Sequence, residues 1–182
     1  MKIAFGLVAV LVILLGMIAA VGHLDGSITF GEPSADAPSG DGPSVGDTSP
    51  ITGEEQAYLE FVIGTLETVS NDISTLGMVF SQPELDDEGW QSTATLLLNR
   101  IEMAYGAIAT LEPSPRLQPF QDAAGRALGN SAEFAKVLRV GLQQGQTDLT
   151  EEAAAKLVAA AEAFGEAEEL LMAFLDAHVA AA

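Results

Sequence analysis

From residue 51 onward the apolar positions recur with a helical period. Leu59, Val62, Leu66, Val69, Ile73, Leu76 and Phe80 follow one another at spacings of three and four, the stripe a helix presents to a bundle seam. Thr52 and Glu55 stand at capping-box spacing ahead of that stripe, and Pro83 stops it. A second helix is predicted over residues 86–111, through Leu97, Ile101, Tyr105 and Ile108. Pro115 fits a first helical turn, but Pro119 four residues later would forfeit a helical hydrogen bond. The pair therefore predicts a short turn and then a regular third helix over 119–144. Asp148 and Glu151 form a second capping-box pair, opening a fourth helix that carries Leu157, Ala160, Phe164, Ala167, Leu171, Phe174 and His178. No segment reads as a strand. Four helices with short connections predict an all-α fold, an antiparallel up-down four-helix bundle over residues 51–182.

The N-terminal part has a different pattern. Residues 3–22 contain no charge and no polar face, and twenty residues is about the length that crosses a hydrocarbon core as a helix. A transmembrane anchor is one reading. The small residues Ala20, Val21 and Gly22 keep a cleaved signal peptide open as the other. Either reading sends the rest of the chain outside, since Lys2 precedes the segment while Asp25, Glu32 and Asp36 follow it. The expected partner of residues 3–22 is the lipid bilayer. The expected location is a single-pass cell-membrane protein with its C-terminal domain outside, or a secreted protein.

Residues 23–50 are rich in Gly, Pro, Ser and Asp, and 33–47 nearly repeat Pro-Ser-x-Asp-x three times. Such a stretch buries too little surface to offset its ordering entropy, so a disordered linker is predicted. As a flexible coil it would span about 30 Å, with an extended limit near ~90 Å. A glycosylated stalk and a bare spacer share this composition. An EF-hand loop does not, because Asp36, Asp41 and Asp47 lie five and six residues apart.

Composition narrows the function classes. The net charge is −19, and seven Lys and Arg residues scattered over the chain cannot build the basic face that nucleic acid requires. The absence of Cys removes disulfides, thiolate ligands, a thioether-linked haem and a lipidated cysteine. Neither His23 nor His178 follows a Glu at the spacing of a di-iron pair, and the turn expected opposite His178 offers no Met or His as a second haem ligand. No cofactor is expected. His178 reads as a C-terminal helix residue meeting the macrodipole. No nucleophile elbow is present, and catalysis is not expected; carboxylate hydrolysis is the distant alternative, as acids abound.

Those acids give the one candidate site. An up-down course would bring the first and third connections to one pole, gathering Glu84, Asp86, Asp87, Glu88, Asp148, Glu151 and Glu152 as a site for a divalent cation or a basic partner. The competing reading is that each cluster simply opens a helix, where carboxylates gain about 0.3–1 kcal/mol from the dipole. Between Trp90 and Leu111 only Arg100 and Glu102 are charged, and Gly125 and Gly129 are four apart on the next helix. That combination suits close internal packing or a homo-oligomer contact through the second and third helices. Trp90 is expected to plug one end of the core.

The stretch LEPSPRLQPFQDAAGRAL, with Leu111, Pro113, Pro115, Phe120 and Leu128, resembles a loop signature of uncharacterised secreted or membrane-anchored bacterial helical-bundle proteins. The resemblance covers one loop and half a helix. Where those proteins carry a histidine after the aromatic, this chain has Gln121 and Asp122. The resemblance implies a helical bundle and no activity. The expected role is an extracytoplasmic, membrane-tethered, acidic helical module for binding, sensing or envelope structure, with a cation-binding protein as the alternative.

Overall fold

The computed structural model describes residues 49–146 and 150–179. The apolar segment 3–22, the linker up to residue 48 and Asp148 lie outside them. Among the described residues the chain forms four α-helices and no strand, and no helix is long and apolar enough to cross a membrane.

Helix α1 spans Gly53–Ser81 and opens on the expected capping box. Thr52 is extended, with φ −75° and ψ 159°, and its hydroxyl accepts from the Glu55 N–H at 3.2 Å while the Glu55 carboxylate accepts from the Thr52 N–H at 2.9 Å. Helix α2 is Glu88–Ala109, two residues shorter at each end than its pattern suggests. At the start, Asp87 is itself the cap, accepting from the Trp90 N–H at 2.6 Å, which requires an extended backbone there. At the end, Pro113 disfavours helical geometry at Glu112, and the Leu111 N–H instead closes on the Ile108 carbonyl at 3.1 Å.

The two prolines act as their positions predict. Pro115–Leu117 is a single 3₁₀ turn, and α3, Gln118–Gln143, follows with Pro119 in its first turn, where its missing N–H would have no intrahelical partner. Gly145, at φ +71°, ends α3 in the left-handed region; its N–H donates to Leu142 and that of Gln146 to Gly141, a Schellman closure. Helix α4, Glu151–Val179, corrects one expectation. Its first turn is capped by Thr150, whose hydroxyl accepts from the Ala153 N–H at 3.1 Å; Asp148 of the expected Asp148–Glu151 pair is outside the described residues. Thr150 is the hydroxyl residue immediately before the helix, so Glu151 falls at its first position instead of the third.

Successive helices pack on one another, α1 on α2, α2 on α3 and α3 on α4, with α1 also touching α3. The α3–α4 contact is the most extensive, because Ala123, Ala124, Ala127 and Ala135 on α3 and Ala153, Ala160 and Ala167 on α4 are buried and let the backbones approach closely. Larger residues fill the space towards α1 and α2: Val62, Val69, Ile73, Leu76, Leu98, Ile101 and Ile108. Tyr105 departs from its expected seam position and is 45% exposed. Half-buried Ala104 takes the place between Ile101 and Ile108, and the Tyr105 ring lies along Gly129 of α3 instead. Trp90 closes one end of the core; its indole N–H donates to the Val79 carbonyl at 2.9 Å and its ring meets Phe80, with centroids 5.4 Å apart.

Candidate functional site

The predicted acidic residues are where helices start. Glu84, Asp86 and Asp87 are exposed in the connection from α1 to α2, Glu88 is exposed in the first turn of α2, and Glu151 and Glu152 are exposed in the first turn of α4. Asp87 is committed to its cap, and the Glu84 carbonyl accepts from the Asp87 N–H at 2.9 Å. Asp148 lies outside the described residues. Among the described residues no three His, Asp or Glu side chains are gathered to hold a metal ion.

A more ordered polar constellation lies at the start of α1. The Glu55 carboxylate, 7% exposed, is gripped from two sides of the sequence. Thr52 donates to it from its N–H and hydroxyl, Ser114 donates its hydroxyl at 2.6 Å, and Arg116 forks onto both oxygens, Nε to Oε1 at 2.7 Å and Nη2 to Oε2 at 2.5 Å. The Arg116 guanidinium holds the Glu55 carboxyl far below the usual carboxylate range, against the upward push of burial, with Ser114 and Thr52 adding to the fall.

Arg116 does more than pair with Glu55. Its Nη1 donates to the Ser49 carbonyl at 2.8 Å and the Ser49 hydroxyl at 2.9 Å, and its Nη2 to the Pro50 carbonyl at 3.0 Å. The same Nη1 lies 3.0 Å from His178 Nε2, and the guanidinium carbon sits 5.6 Å from the centre of the Phe174 ring. One arginine in a 3₁₀ turn thus fastens the incoming chain, the first turn of α1 and the last turn of α4. A guanidinium suits the task because it is planar, permanently charged and carries five donors in a fixed fork.

His178 is in the last turn of α4, as expected, but its role differs from a plain interaction with the helix dipole. Its Nδ1 faces the Phe174 carbonyl at 2.5 Å, its ring stacks on Phe174 with centroids 4.3 Å apart, and its Nε2 meets Arg116. Sequence reasoning identified Glu55 as a cap and His178 as a terminal residue but joined neither to Arg116, which is 61 residues from one and 62 from the other. The available signal was an arginine within a proline-punctuated loop of a chain otherwise poor in cations.

A second feature is an open trough of about 870 Å³ between α2 and α3, where Gly125 and Gly129 leave side-chain space and Tyr105, Gln121, Asp122 and Arg126 form part of the wall. Gln121 donates to the Ile108 carbonyl at 2.9 Å and accepts from the Tyr58 hydroxyl. Burial, and after it the Asp122 charge, pushes the Tyr58 hydroxyl up to about 12, so it stays a neutral donor at ordinary pH. Arg126 is held by Glu166 of α4 at 2.7 Å.

Comparison with protein-family models, curated proteins and solved structures finds no match for this chain.

Proposed function

We propose that the chain is a membrane-tethered, extracytoplasmic helical module, an up-and-down antiparallel bundle held off the lipid surface by its linker and acting in binding, sensing or envelope structure without catalysis. The observation that carries this reading is the attachment of Ser49 and Pro50 to Arg116. A linker that merely trailed from a domain would need no anchorage; here the point where it enters is tied to an arginine that also holds the first turn of α1 and the last turn of α4. Residues 3–22 are long and apolar enough to supply the other end of the tether. The acidity of the bundle favours repulsion from anionic headgroups and a partner that is not nucleic acid. The partner class is a protein, with a second copy of the chain meeting it through the α2 and α3 faces as the alternative, and a secreted form is the alternative to the tether.

The test is the intact mass of the protein recovered separately from the membrane and medium fractions of its own cells. A full-length chain in the membrane supports the tethered module. A chain beginning near residue 23 and found only in the medium would replace it with the secreted form.

A further inference from the structure

The bond between Arg116 and His178 has a definite proton inventory. A carbonyl oxygen only accepts, so the 2.5 Å contact with Phe174 requires a proton on His178 Nδ1. A guanidinium only donates, so the 3.0 Å contact with Arg116 Nη1 requires a bare Nε2. Both contacts are satisfied together by one species alone, the neutral imidazole carrying its proton on Nδ1. Protonation at Nε2 would turn an acceptor into a donor and set a second cation against a guanidinium already facing it.

From these contacts we infer that Arg116 and His178 form a pH-operated latch: neutral His178 holds Nη1 of the guanidinium in place over Ser49, and protonated His178 drives it off. Among the described residues three charged groups bear on the ring. Arg116 faces it from the 3₁₀ turn, Glu55 of α1 stands behind Arg116 and keeps the guanidinium near its carboxylate, and Asp176 on α4 itself is exposed to solvent. Glu55 retains Nε and part of Nη2, so the contacts released are those that Nη1 makes with the carbonyl and hydroxyl of Ser49. Histidine is the side chain whose charge changes in mild acid, so acidification would loosen the incoming chain while the bundle stays folded. The latch acts at the junction itself and operates alike whether residues 3–22 are retained or removed.

The test is nuclear magnetic resonance on the full-length, isotope-labelled chain in detergent micelles, between about pH 7.5 and pH 5.5. At the upper end the His178 ring should carry its proton on Nδ1. On acidification its protonation should be matched, at the same midpoint, by shifts of the Ser49 resonances and by loss of the bonded position of the Arg116 side-chain N–H signals. His178→Gln keeps an acceptor and cannot charge, so it should hold the upper-pH Ser49 shift throughout. His178→Lys carries a permanent cation and should show the released Ser49 shift even at the upper end. His23→Gln, which removes the other histidine, should leave the transition intact. A proton on Nε2 instead of Nδ1, a Ser49 signal indifferent to His178 ionisation, a transition that survives in His178→Gln, or a latched signal in His178→Lys would each overturn the inference.

Discussion

Glu55 and Asp72 are both buried carboxylates on α1, each opposite an arginine, and they are pushed in opposite directions. Glu55 meets a bidentate guanidinium together with Ser114 and Thr52, so its charge is solvated by the protein. Asp72, also 7% exposed at its side chain, has Arg100 Nε at 3.0 Å, but that arginine is half exposed and the approach is poorly aligned for a hydrogen bond. Burial therefore raises the Asp72 carboxyl above its ordinary value, with Arg100 offsetting only part of the rise. Removing Arg116 leaves a buried, uncompensated Glu55, and Arg116→Ala should lower the unfolding free energy at pH 7 by about 3 kcal/mol in urea titrations. Asp72→Leu should be neutral or stabilising by about 1 kcal/mol in the same titrations, because the replaced charge was never well satisfied. The two groups also differ in pH dependence. Glu55, depressed in the folded state, contributes stability that is complete above its unfolded value near 4.5 and is lost as pH falls below it. Asp72, raised in the folded state, contributes most below its unfolded value of 3.8 and loses that contribution as pH rises through its folded value. Acid titration of Arg116→Ala should accordingly show a flatter fall of stability below about pH 4.5 than the parent chain, as Glu55 no longer has its partner.

The helices themselves were mostly legible in the sequence, because burial in a bundle repeats every three or four residues and the breaks carry their own chemistry. Leu59, Val62, Val69, Ile73 and Leu76 are all buried where the stripe put them, and Pro119 falls in a first turn. The misses have physical causes. Tyr105 fits the period as well as Ala104 does, and only the open space over Gly129 decides which of them turns outward. Thr150 caps α4 because one hydroxyl next to the helix suffices, a choice that spacing alone leaves open. The Glu55–Arg116–His178 constellation could not be read from periodicity at all, since it joins three elements brought together only by packing. The close approach of α3 and α4 is likewise a property of paired alanines. Replacing Ala127 by Leu should force the two helices apart or off their rotamers, at a cost of about 1–3 kcal/mol in thermal or urea unfolding. At the end of α3, Gly145→Ala would place a Cβ at φ +71° and should cost about 1 kcal/mol by the same measurement, with no loss of helix content.

At the scale of the whole molecule the dominant fact is charge, twenty-six acids against seven Lys and Arg. Among the described residues five of the six bases are placed against acids, Arg100 with Asp72, Arg116 with Glu55, Arg126 with Glu166, Lys136 with Glu133 and Arg139 with Glu102, so most carboxylates have no cation of their own. Compacting such a chain brings like charges together, and their repulsion opposes folding. Salt screens exposed charges over a distance that shrinks from about 10 Å at 0.1 M to about 3 Å at 1 M, while the buried Glu55–Arg116 pair is screened far less. Raising sodium chloride through that range should therefore increase the melting temperature, the reverse of the result for a fold held by exposed ion pairs. The increase should be nearly the same in Arg116→Ala as in the parent chain, because the repulsion is spread over the surface and the latch contributes little to it. A general salting-out effect is separated by repeating the titration with sodium thiocyanate, which screens equally but weakens apolar burial. If stabilisation at low salt survives with both anions, self-repulsion is the cause; if it follows the anion from the first additions, the surface charge is already neutralised by bound cations or a partner.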